Sequence, residues 1–248
     1  MAWRCSGGTN EELIRNMASK GLIKNDDVKE AFIKVDRAHY APNFAYEDSP
    51  QTIGYGATIS APHMHASALE YLLPFIKPST THPGRPRRIL DVGSGSGYLC
   101  HVMAELAGDD SKVVGIEHIQ GLVDLGRDNM ARSPAGRSLL DSERVRFVLG
   151  DGRKGWKEPT SAEGGAEWDA ERDGWDAIHV GAASKGWHQE LLDQLRRPGR
   201  MFIPVEDPRG GWQDIWVVDK DEEGGIEKRK LFGVRYVPLT DAEEQLKR

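Results

Sequence analysis

The spacing of apolar residues predicts two helices near the start of the chain. Residues 10–35 repeat apolar positions at helical spacing, which is typical of helices that bury one face. Asn10 and Asn25 are the candidate N-caps of these helices, and Gly21 separates them. The positions predicted to be buried are Leu13, Ile14, Met17, Val28, Phe32 and Ile33. A third helical pattern covers residues 63–76.

Further along, short apolar runs alternate with helical patterns. The predicted strands cover residues 87–92, 112–118, 144–150, 175–181 and 200–205, and the helices cover the residues after Gly97, 120–131 and 187–196. Such alternation implies a parallel sheet with helices on both faces. Two more strands, 213–219 and 228–239, are joined by a turn-like segment and indicate an antiparallel edge. We therefore predict an α/β, doubly wound fold with a mostly parallel seven-stranded sheet and a helical N-terminal extension.

Three segments lack either periodicity. Residues 36–62 are rich in aromatic residues, Gly and Pro, and an irregular segment of that length inside a domain is usually functional. Residues 77–88 form a polar, Pro-rich connector. Residues 155–174 are acidic and Gly-rich, so we expect a solvated surface loop there.

Composition and charge exclude several classes of protein. The chain has 33 Lys and Arg against 39 Asp and Glu, a net charge of -6, so nucleic acid is a poor default partner. No apolar run approaches the roughly 20 residues of a membrane span, and the N-terminal residues lack the apolar stretch of a secretory signal. The two cysteines, Cys5 and Cys100, are expected to be reduced thiols. We expect a soluble, cytoplasmic monomer that binds neither nucleic acid nor membranes.

A glycine-rich loop follows the first predicted strand of the sheet. Gly93, Gly95 and Gly97 precede a helix, where glycines let a ligand approach the backbone and the helix N-terminus offers free N–H groups. A dinucleotide site needs a further glycine at position 98, which is Tyr98. A P-loop needs a Lys and a hydroxyl residue after the last glycine, and Tyr98 and Leu99 stand there instead.

Carboxylates follow the next two strands. Glu117 ends the second strand, where an acidic residue can bind a ribose diol. Asp151 follows the third strand and could accept a hydrogen bond from an adenine amino group. Either Asp91, just before the glycine loop, or Asp151 could by itself be a turn or helix cap. Together with Glu117 they predict a nucleoside pocket.

Longer motifs carry a specific resemblance. DVGSGSG (residues 91–97) marks only a broad superfamily of methyltransferases, whereas TISAPHMHA (58–66) and YVPLTD (236–241) are far more specific. Together with GDGR (150–153) and DAIHVGAA (176–183), they make the chain similar to the eukaryotic type of protein-L-isoaspartate (D-aspartate) O-methyltransferase. The similarity runs from the N-terminal MAW to Gln245.

The resemblance implies a Rossmann-like methyltransferase domain over residues 1–248. Residues 1–76 would be the helical extension and substrate-site segment, and 86–248 the core. The implied activity is methyl transfer from S-adenosyl-L-methionine to the α-carboxyl of L-isoaspartyl residues in damaged peptides and proteins. The methyl ester then collapses to a succinimide, part of which hydrolyses to normal aspartate. Acceptance of D-aspartyl residues stays open.

The resemblance also implies roles for individual residues. Those expected to bind the cofactor are Ala57, Thr58, Ile59, Ser60, His65, Asp91, Gly93, Ser96, Glu117, His118, Asp151, Gly152, Thr240 and Gln245. Those expected to contact the substrate are Ile59, Ser60, His65 and Val237. Glu117 replaces an Asp often found in the family, which keeps the carboxylate. The segments 77–88 and 155–174 are longer than in shorter members, and we expect them to alter the surface rather than the chemistry.

The implied reaction needs no strong base. A carboxylate acceptor has a pKa near 4, so it is already nucleophilic at neutral pH, and catalysis consists of alignment and exclusion of water. Ser60 would donate a hydrogen bond that orients one acceptor oxygen; by itself the residue better fits a turn or helix cap before Pro62, and only the resemblance reverses that interpretation. His63 and His65 lack further ligands at metal spacing, so no metal is expected.

Two rival functions remain. A nucleic-acid methyltransferase that acts on amino groups would carry a [DN]PP[YF] motif after the fourth strand, where this chain has HVGAAS, and neither cysteine follows a Pro as in a cytosine C5 enzyme. A module that only binds a nucleotide without turnover is the second rival.

Overall fold

The computed structural model describes residues 5–78, 80, 82–158 and 167–247. The helices are α1 (Asn10–Ser19), α2 (Asp26–Lys34), α3 (Pro62–Ile76), α4 (Tyr98–Ala107), α5 (Gln120–Met130), α6 (Pro134–Asp141), α7 (Ala170–Asp173), α8 (Gln189–Gln194) and α9 (Ala242–Leu246). The strands are β1 (Gln51–Gly54), β2 (Ala57–Ile59), β3 (Arg88–Val92), β4 (Lys112–Glu117), β5 (Val145–Leu149), β6 (Trp175–Val180), β7 (Leu195–Glu206), β8 (Gln213–Lys220) and β9 (Ile226–Val234).

The main sheet has the strand order β5-β4-β3-β6-β7-β8-β9 over the described residues. The first five strands of that order pair in parallel, and β7, β8 and β9 pair antiparallel. The order reverses between β3 and β6. From β3 the chain moves outward to β4 and β5, and it then returns to place β6 on the other side of β3. Ligands of such sheets bind at the carboxyl ends of the strands beside this reversal. The structure confirms the predicted seven-stranded sheet with an antiparallel edge.

Two hydrophobic layers cover the sheet. Alternate strand residues such as Ile89 and Val113 belong to one buried cluster together with α3 and α4, whereas Leu90 and Val114 belong to a second cluster that includes Trp175. This alternation follows from the two-residue period of a strand, and it explains why the central strands β3, β4 and β6 are largely apolar. The centre of the sheet is therefore buried on both faces, whereas the edge strand β9 is largely exposed.

The N-terminal helices pack on the first layer, with two differences from the prediction. Thr9, not Asn10, caps α1, because the Thr9 hydroxyl accepts the Glu12 N–H. Asn10 is instead buried and donates to the Phe32 carbonyl at 2.9 Å. Asn25 caps α2 as predicted. Ile33 is 37% exposed, because the buried side of α2 turns through Val28, Ala31 and Phe32.

Several elements were missing from the sequence prediction. The segment 36–62 contains the short antiparallel hairpin β1–β2, and α6 and α9 were not predicted. In addition, β7 begins at Leu195, so α8 is shorter than the predicted 187–196. Residues 159–166 lie outside the described part. Residues 155–158 are not the solvated loop that we expected, because Trp156 packs against the second hydrophobic cluster and Glu158 binds Arg88.

A cluster of ion pairs lies at the amino ends of the strands. The carboxylate of Asp176, on β6, is fully buried and contacts the guanidinium groups of Arg85, Arg87 and Arg196. These pairs tie the connector before β3 to β6 and β7. Among the described residues, no helix has the length and apolar character needed to cross a bilayer.

Candidate active site

A cleft with an empty volume of about 580 Å³ opens at the carboxyl ends of β3, β4 and β6. Its walls come from four parts of the chain: the hairpin, the glycine loop, the strand ends and the C-terminal segment. The lining residues are Ala57, Thr58, Val92, Gly93, Gly95, Ile116, Glu117, His118, Asp151, Gly152, Gly181, Ala182, Val237, Pro238, Leu239, Thr240 and Gln245. The cleft therefore lies where the reversal in strand order places a ligand.

The glycine loop needs its glycines for two reasons. Gly93, Gly95 and Gly97 have φ values of 76°, 48° and 81°, a region that other residues rarely adopt. A Cβ on Gly97 would also lie 2.8 Å from the Phe147 ring. The loop is fixed to the next strand, because the N–H groups of Gly93 and Ser94 both donate to the Ile116 carbonyl. The backbone of Gly93 and Gly95 thus forms a rigid floor of the cleft.

Glu117 connects this loop to the cleft. One carboxylate oxygen accepts the Gly95 N–H at 3.2 Å, and the other accepts the His118 N–H at 2.8 Å. Burial raises the pKa of Glu117, and the two N–H donors oppose that rise. Each carboxylate oxygen retains a lone pair, so Glu117 can accept hydrogen bonds from a diol in the cleft.

Asp151 lies on another wall. It caps the turn after β5 by accepting the Arg153 N–H, and it pairs with the Arg153 guanidinium at 2.8 Å. The hydrogen bond from Arg153 lowers the pKa of Asp151, which keeps the carboxylate ionised. Arg153 also binds Asp241 at 2.6 Å, so this wall is tied to the C-terminal segment. A Cβ on the adjacent Gly152 would lie 2.5 Å from Val92, so only glycine fits there.

The C-terminal segment closes the cleft. Residues 237–239 pair with Ala183, whose N–H donates to the Val237 carbonyl at 2.8 Å and whose carbonyl accepts the Leu239 N–H at 2.7 Å. From α9, the Gln245 side chain contacts His118 Nε2 at 2.9 Å and donates to the Tyr55 carbonyl at 3.1 Å. These contacts join residues that are far apart in the sequence.

Asp91 lies beneath the glycine loop and does not line the cleft. Its carboxylate contacts His179 Nδ1 at 2.7 Å and accepts the Cys100 S–H at 3.1 Å, and only 2% of the residue is exposed. Ser96 is also buried, and its hydroxyl accepts the Tyr98 N–H at the start of α4. These two residues therefore support the loop from below.

A second, larger cleft of about 1650 Å³ adjoins the first. The two share Thr58, Gly181 and Val237, so a group bound at one end of the first cleft can meet a group bound in the second. Ser60 lines only the second cleft, where its hydroxyl is close enough to Tyr236 to affect the Tyr236 pKa. Burial raises the pKa of Tyr236, so the Tyr236 hydroxyl stays protonated.

A buried arginine supports the segment that carries Ser60. Arg37 is fully buried, and it donates to the Ser60 carbonyl at 2.8 Å and lies 3.4 Å from His65 Nδ1. Burial lowers the pKa of His65 well below its usual range, and the charge of Arg37 adds to that effect. Ile59 and His65 are both buried in the packing behind this segment. His63, by contrast, pairs with Asp48 at 2.7 Å, so the two histidines have different partners.

The structure thus brings most of the predicted site residues together. Those that line the first cleft are Ala57, Thr58, Gly93, Glu117, His118, Asp151, Gly152, Val237, Thr240 and Gln245. Those that lie behind the walls are Ile59, His65, Asp91 and Ser96. Sequence reasoning missed Arg37, Tyr236 and His179. The expected burial of arginine is low, so no sequence signal identifies Arg37. Tyr236 directly precedes Val237 in the YVPLTD motif and could have been found.

Comparisons with known proteins agree with this arrangement. The sequence profile of the protein-L-isoaspartate(D-aspartate) O-methyltransferase family matches residues 8–244. A protein-L-isoaspartate O-methyltransferase of Caenorhabditis elegans is 44% identical over 248 residues, which is all of both chains. Protein-L-isoaspartate O-methyltransferase 1 of Arabidopsis thaliana is 40% identical over 96% of this chain and 94% of its own length.

A solved structure is similar over nearly the same extent. It is the protein-L-isoaspartate O-methyltransferase of Plasmodium falciparum in complex with S-adenosyl-L-homocysteine. The TM-score is 0.78 at 31% identity, and the match covers 94% of this chain and 99% of that one. Profile, full-length relatives and fold all agree. The chain therefore belongs to the protein-L-isoaspartate(D-aspartate) O-methyltransferase family.

Proposed function

We propose that this enzyme transfers the methyl group of S-adenosyl-L-methionine to the α-carboxyl of L-isoaspartyl residues and so initiates their repair to aspartyl residues. The observation that carries the proposal is the pair of joined clefts. The first has the acceptors that a nucleoside requires, and the second presents the Ser60 hydroxyl beside the junction at Thr58 and Val237.

The residues of the first cleft fit S-adenosyl-L-methionine. Glu117 offers free lone pairs to a ribose diol, and Asp151 offers an acceptor to the adenine amino group. The glycine at position 93 leaves open space where a side chain would stand, so the backbone can lie against the ligand. When bound, this cofactor supplies a methyl group on a positively charged sulfur. The related Plasmodium falciparum structure, which contains S-adenosyl-L-homocysteine, supports this assignment.

The protein's own contribution is to position the acceptor carboxylate against the methyl group and to exclude water from the site. The acceptor carboxylate is ionised at neutral pH, so no residue has to remove a proton from it. Ser60 donates a hydrogen bond to one carboxylate oxygen, while Arg37 holds the Ser60 carbonyl and Tyr236 lines the same cleft. The C-terminal segment, tied to Ala183 and His118, covers the junction and keeps it dry.

The test uses two synthetic peptides that differ only in Asp versus isoAsp. The enzyme is incubated with each peptide and labelled S-adenosyl-L-methionine, and base-labile label is counted, because methyl esters hydrolyse readily in base. We expect label on the isoAsp peptide alone. Cofactor binding without label on either peptide would refute the proposal and would direct the search to another methyl acceptor.

The setting of the reaction forms part of the proposal. We place the enzyme in the cytoplasm as a one-domain monomer whose partners are damaged peptides and proteins rather than nucleic acids or membranes. Its two cysteines are buried and unpaired, which suits a reducing compartment, and its net charge of -6 disfavours a phosphate backbone. Sedimentation of the purified enzyme tests the monomer.

A further inference from the structure

The second cleft has an unusual balance of charge. Among its described lining residues, the only Asp, Glu, Lys or Arg is Arg235. His63 also lines the cleft, but its Nδ1 is paired with the buried carboxylate of Asp48 at 2.7 Å. The cleft that receives the peptide therefore presents one positive charge and no negative charge of its own.

Arg235 has no partner within the described part of the chain, and it is exposed. The other cations of this edge differ. Lys230 pairs with Asp214 at 2.6 Å, Lys228 lies 4.1 Å from the centre of the Trp187 ring, and Arg229 lies 5.8 Å from that of Tyr71. Of these side chains, Arg235 alone lines the cleft. Its guanidinium is available to a carboxylate of a bound peptide.

The position of Arg235 indicates which part of a peptide it meets. Arg235, Tyr236 and Val237 follow one another along the wall of the second cleft, and of these three Arg235 and Val237 are the exposed ones. Val237 borders both clefts, and Tyr236 lines the second cleft together with Ser60. Residues two positions apart in an extended chain are separated by about 7 Å. Arg235 is therefore displaced from the junction by about the distance between neighbouring side chains of a peptide.

We infer that Arg235 is a specificity-determining residue that favours isoaspartyl peptides with an acidic side chain close to the isoaspartyl residue. This inference rests on the proposed function. An Arg guanidinium can bind a carboxylate through two parallel hydrogen bonds, which Lys or Gln cannot do. A partly exposed pair of this kind changes kcat/KM about two- to fivefold, and salt screens it.

The experiment compares isoaspartyl peptides that differ at one flanking position, which is Glu, Gln or Lys. Each of the two positions before and after the isoaspartyl residue is varied in turn. The quantity measured is the ratio of kcat/KM for the Glu peptide to that for the Lys peptide. At the responsive position we expect a ratio of about five to twenty for the natural enzyme, carried by KM, because attraction of Glu and repulsion of Lys multiply. The ratio should fall markedly when 0.5 M NaCl is added, because the Debye screening length is then only about 4 Å.

Three variants separate the local effect from net charge. Arg235→Gln should bring the ratio close to one, and Arg235→Glu should invert it. Arg229→Gln removes the same charge from an exposed position on the same edge outside the cleft, and it should keep the natural ratio. Melting temperature and cofactor Kd of each variant confirm that the fold and the first cleft are intact.

Two results would overturn the inference. One is a ratio near one for the natural enzyme at every flanking position. The other is an equal loss on all peptides in Arg235→Gln, which would place the guanidinium on the acceptor carboxylate itself. Absence of methylation on every peptide would instead reject the proposed function, and this inference with it.

Discussion

Two carboxylates at the amino ends of the strands, Asp176 and Glu158, each contact three cations. They provide a test of how burial sets the strength of ion pairs. The Asp176 carboxylate is fully buried and lies 3.1 Å from Arg85, 3.1 Å from Arg87 and 2.8 Å from Arg196. The Glu158 carboxylate is 18% exposed and holds three cations at 3.1 to 3.3 Å. Distances are nearly equal, so the clusters differ mainly in burial.

The variants Asp176→Asn and Glu158→Gln remove one charge each and keep the side-chain shape. Removal of one partner from a buried ion pair costs about 3–5 kcal/mol, because the remaining charge stays desolvated. The Arg87 and Arg196 side chains are only 8% and 6% exposed, so they cannot turn to solvent. At Glu158, the Lys112 and Arg146 side chains are 33% and 37% exposed and can turn to solvent. Glu158→Gln should therefore lower the free energy of unfolding by only about 1 kcal/mol.

Urea unfolding monitored by tryptophan fluorescence measures both free energies of unfolding, since Trp175 is fully buried. We expect Asp176→Asn to cost at least three times as much as Glu158→Gln at an unchanged m-value. Cofactor Kd should change in neither variant, because Asp176 and Glu158 lie at the other end of the sheet. Should Asp176→Asn fail to fold, Arg85→Gln, at the most exposed of the three arginines, gives a milder measure. Equal costs for Asp176→Asn and Glu158→Gln would refute the reasoning from burial.

Three further predictions concern the site and its surroundings. Glu117→Ala should raise the Kd for S-adenosyl-L-methionine about ten- to hundredfold, because hydrogen bonds to a charged group contribute about 1.5–3 kcal/mol each. Calorimetry measures this Kd, and an unchanged value would show that Glu117 does not bind the cofactor. Ser60→Ala should lower kcat on an isoaspartyl peptide about tenfold or more while the cofactor Kd stays the same, and a reversed pattern would contradict the orienting role. Burial lowers the pKa of His101 to about 4, so the folded state favours the neutral ring. The free energy of unfolding should therefore fall as the pH drops from about 6.5 to about 4. In urea titrations, His101→Gln should make that fall less steep. An equally steep fall in the variant would show that other groups cause it.

The comparison of sequence and structure at single residues shows where prediction stopped. Glu117 was placed correctly at the cleft, because it ends a strand whose carboxyl end faces the ligand side. Asp91 was grouped with it, yet the fold turns its side chain under the loop toward His179. The two side chains lie on the same face of the sheet, because Asp91 pairs with Gly115, but Glu117 lies two residues nearer the carboxyl ends of the strands. The sequence does not reveal this register between neighbouring strands.

Short elements were missed for a different reason. The strands β1 and β2 have only four and three residues, which is too few to establish an alternating pattern. Helix α6 carries a Ser133 cap and a Pro134 at its first position, so its start signals were present, although its eight residues give a weak periodicity.

By itself the sequence determined the α/β class, the mostly parallel sheet, the glycine loop and the family, because these depend on residue type at local spacing. Only the tertiary structure decided how the cleft is closed and which side chains support it. The contacts of Arg153 with Asp241 and of His118 with Gln245 span 88 and 127 positions of the chain. Burial of Arg37 behind Ser60 likewise follows from packing between distant segments. Such contacts form only when the whole chain has folded, so no local pattern encodes them.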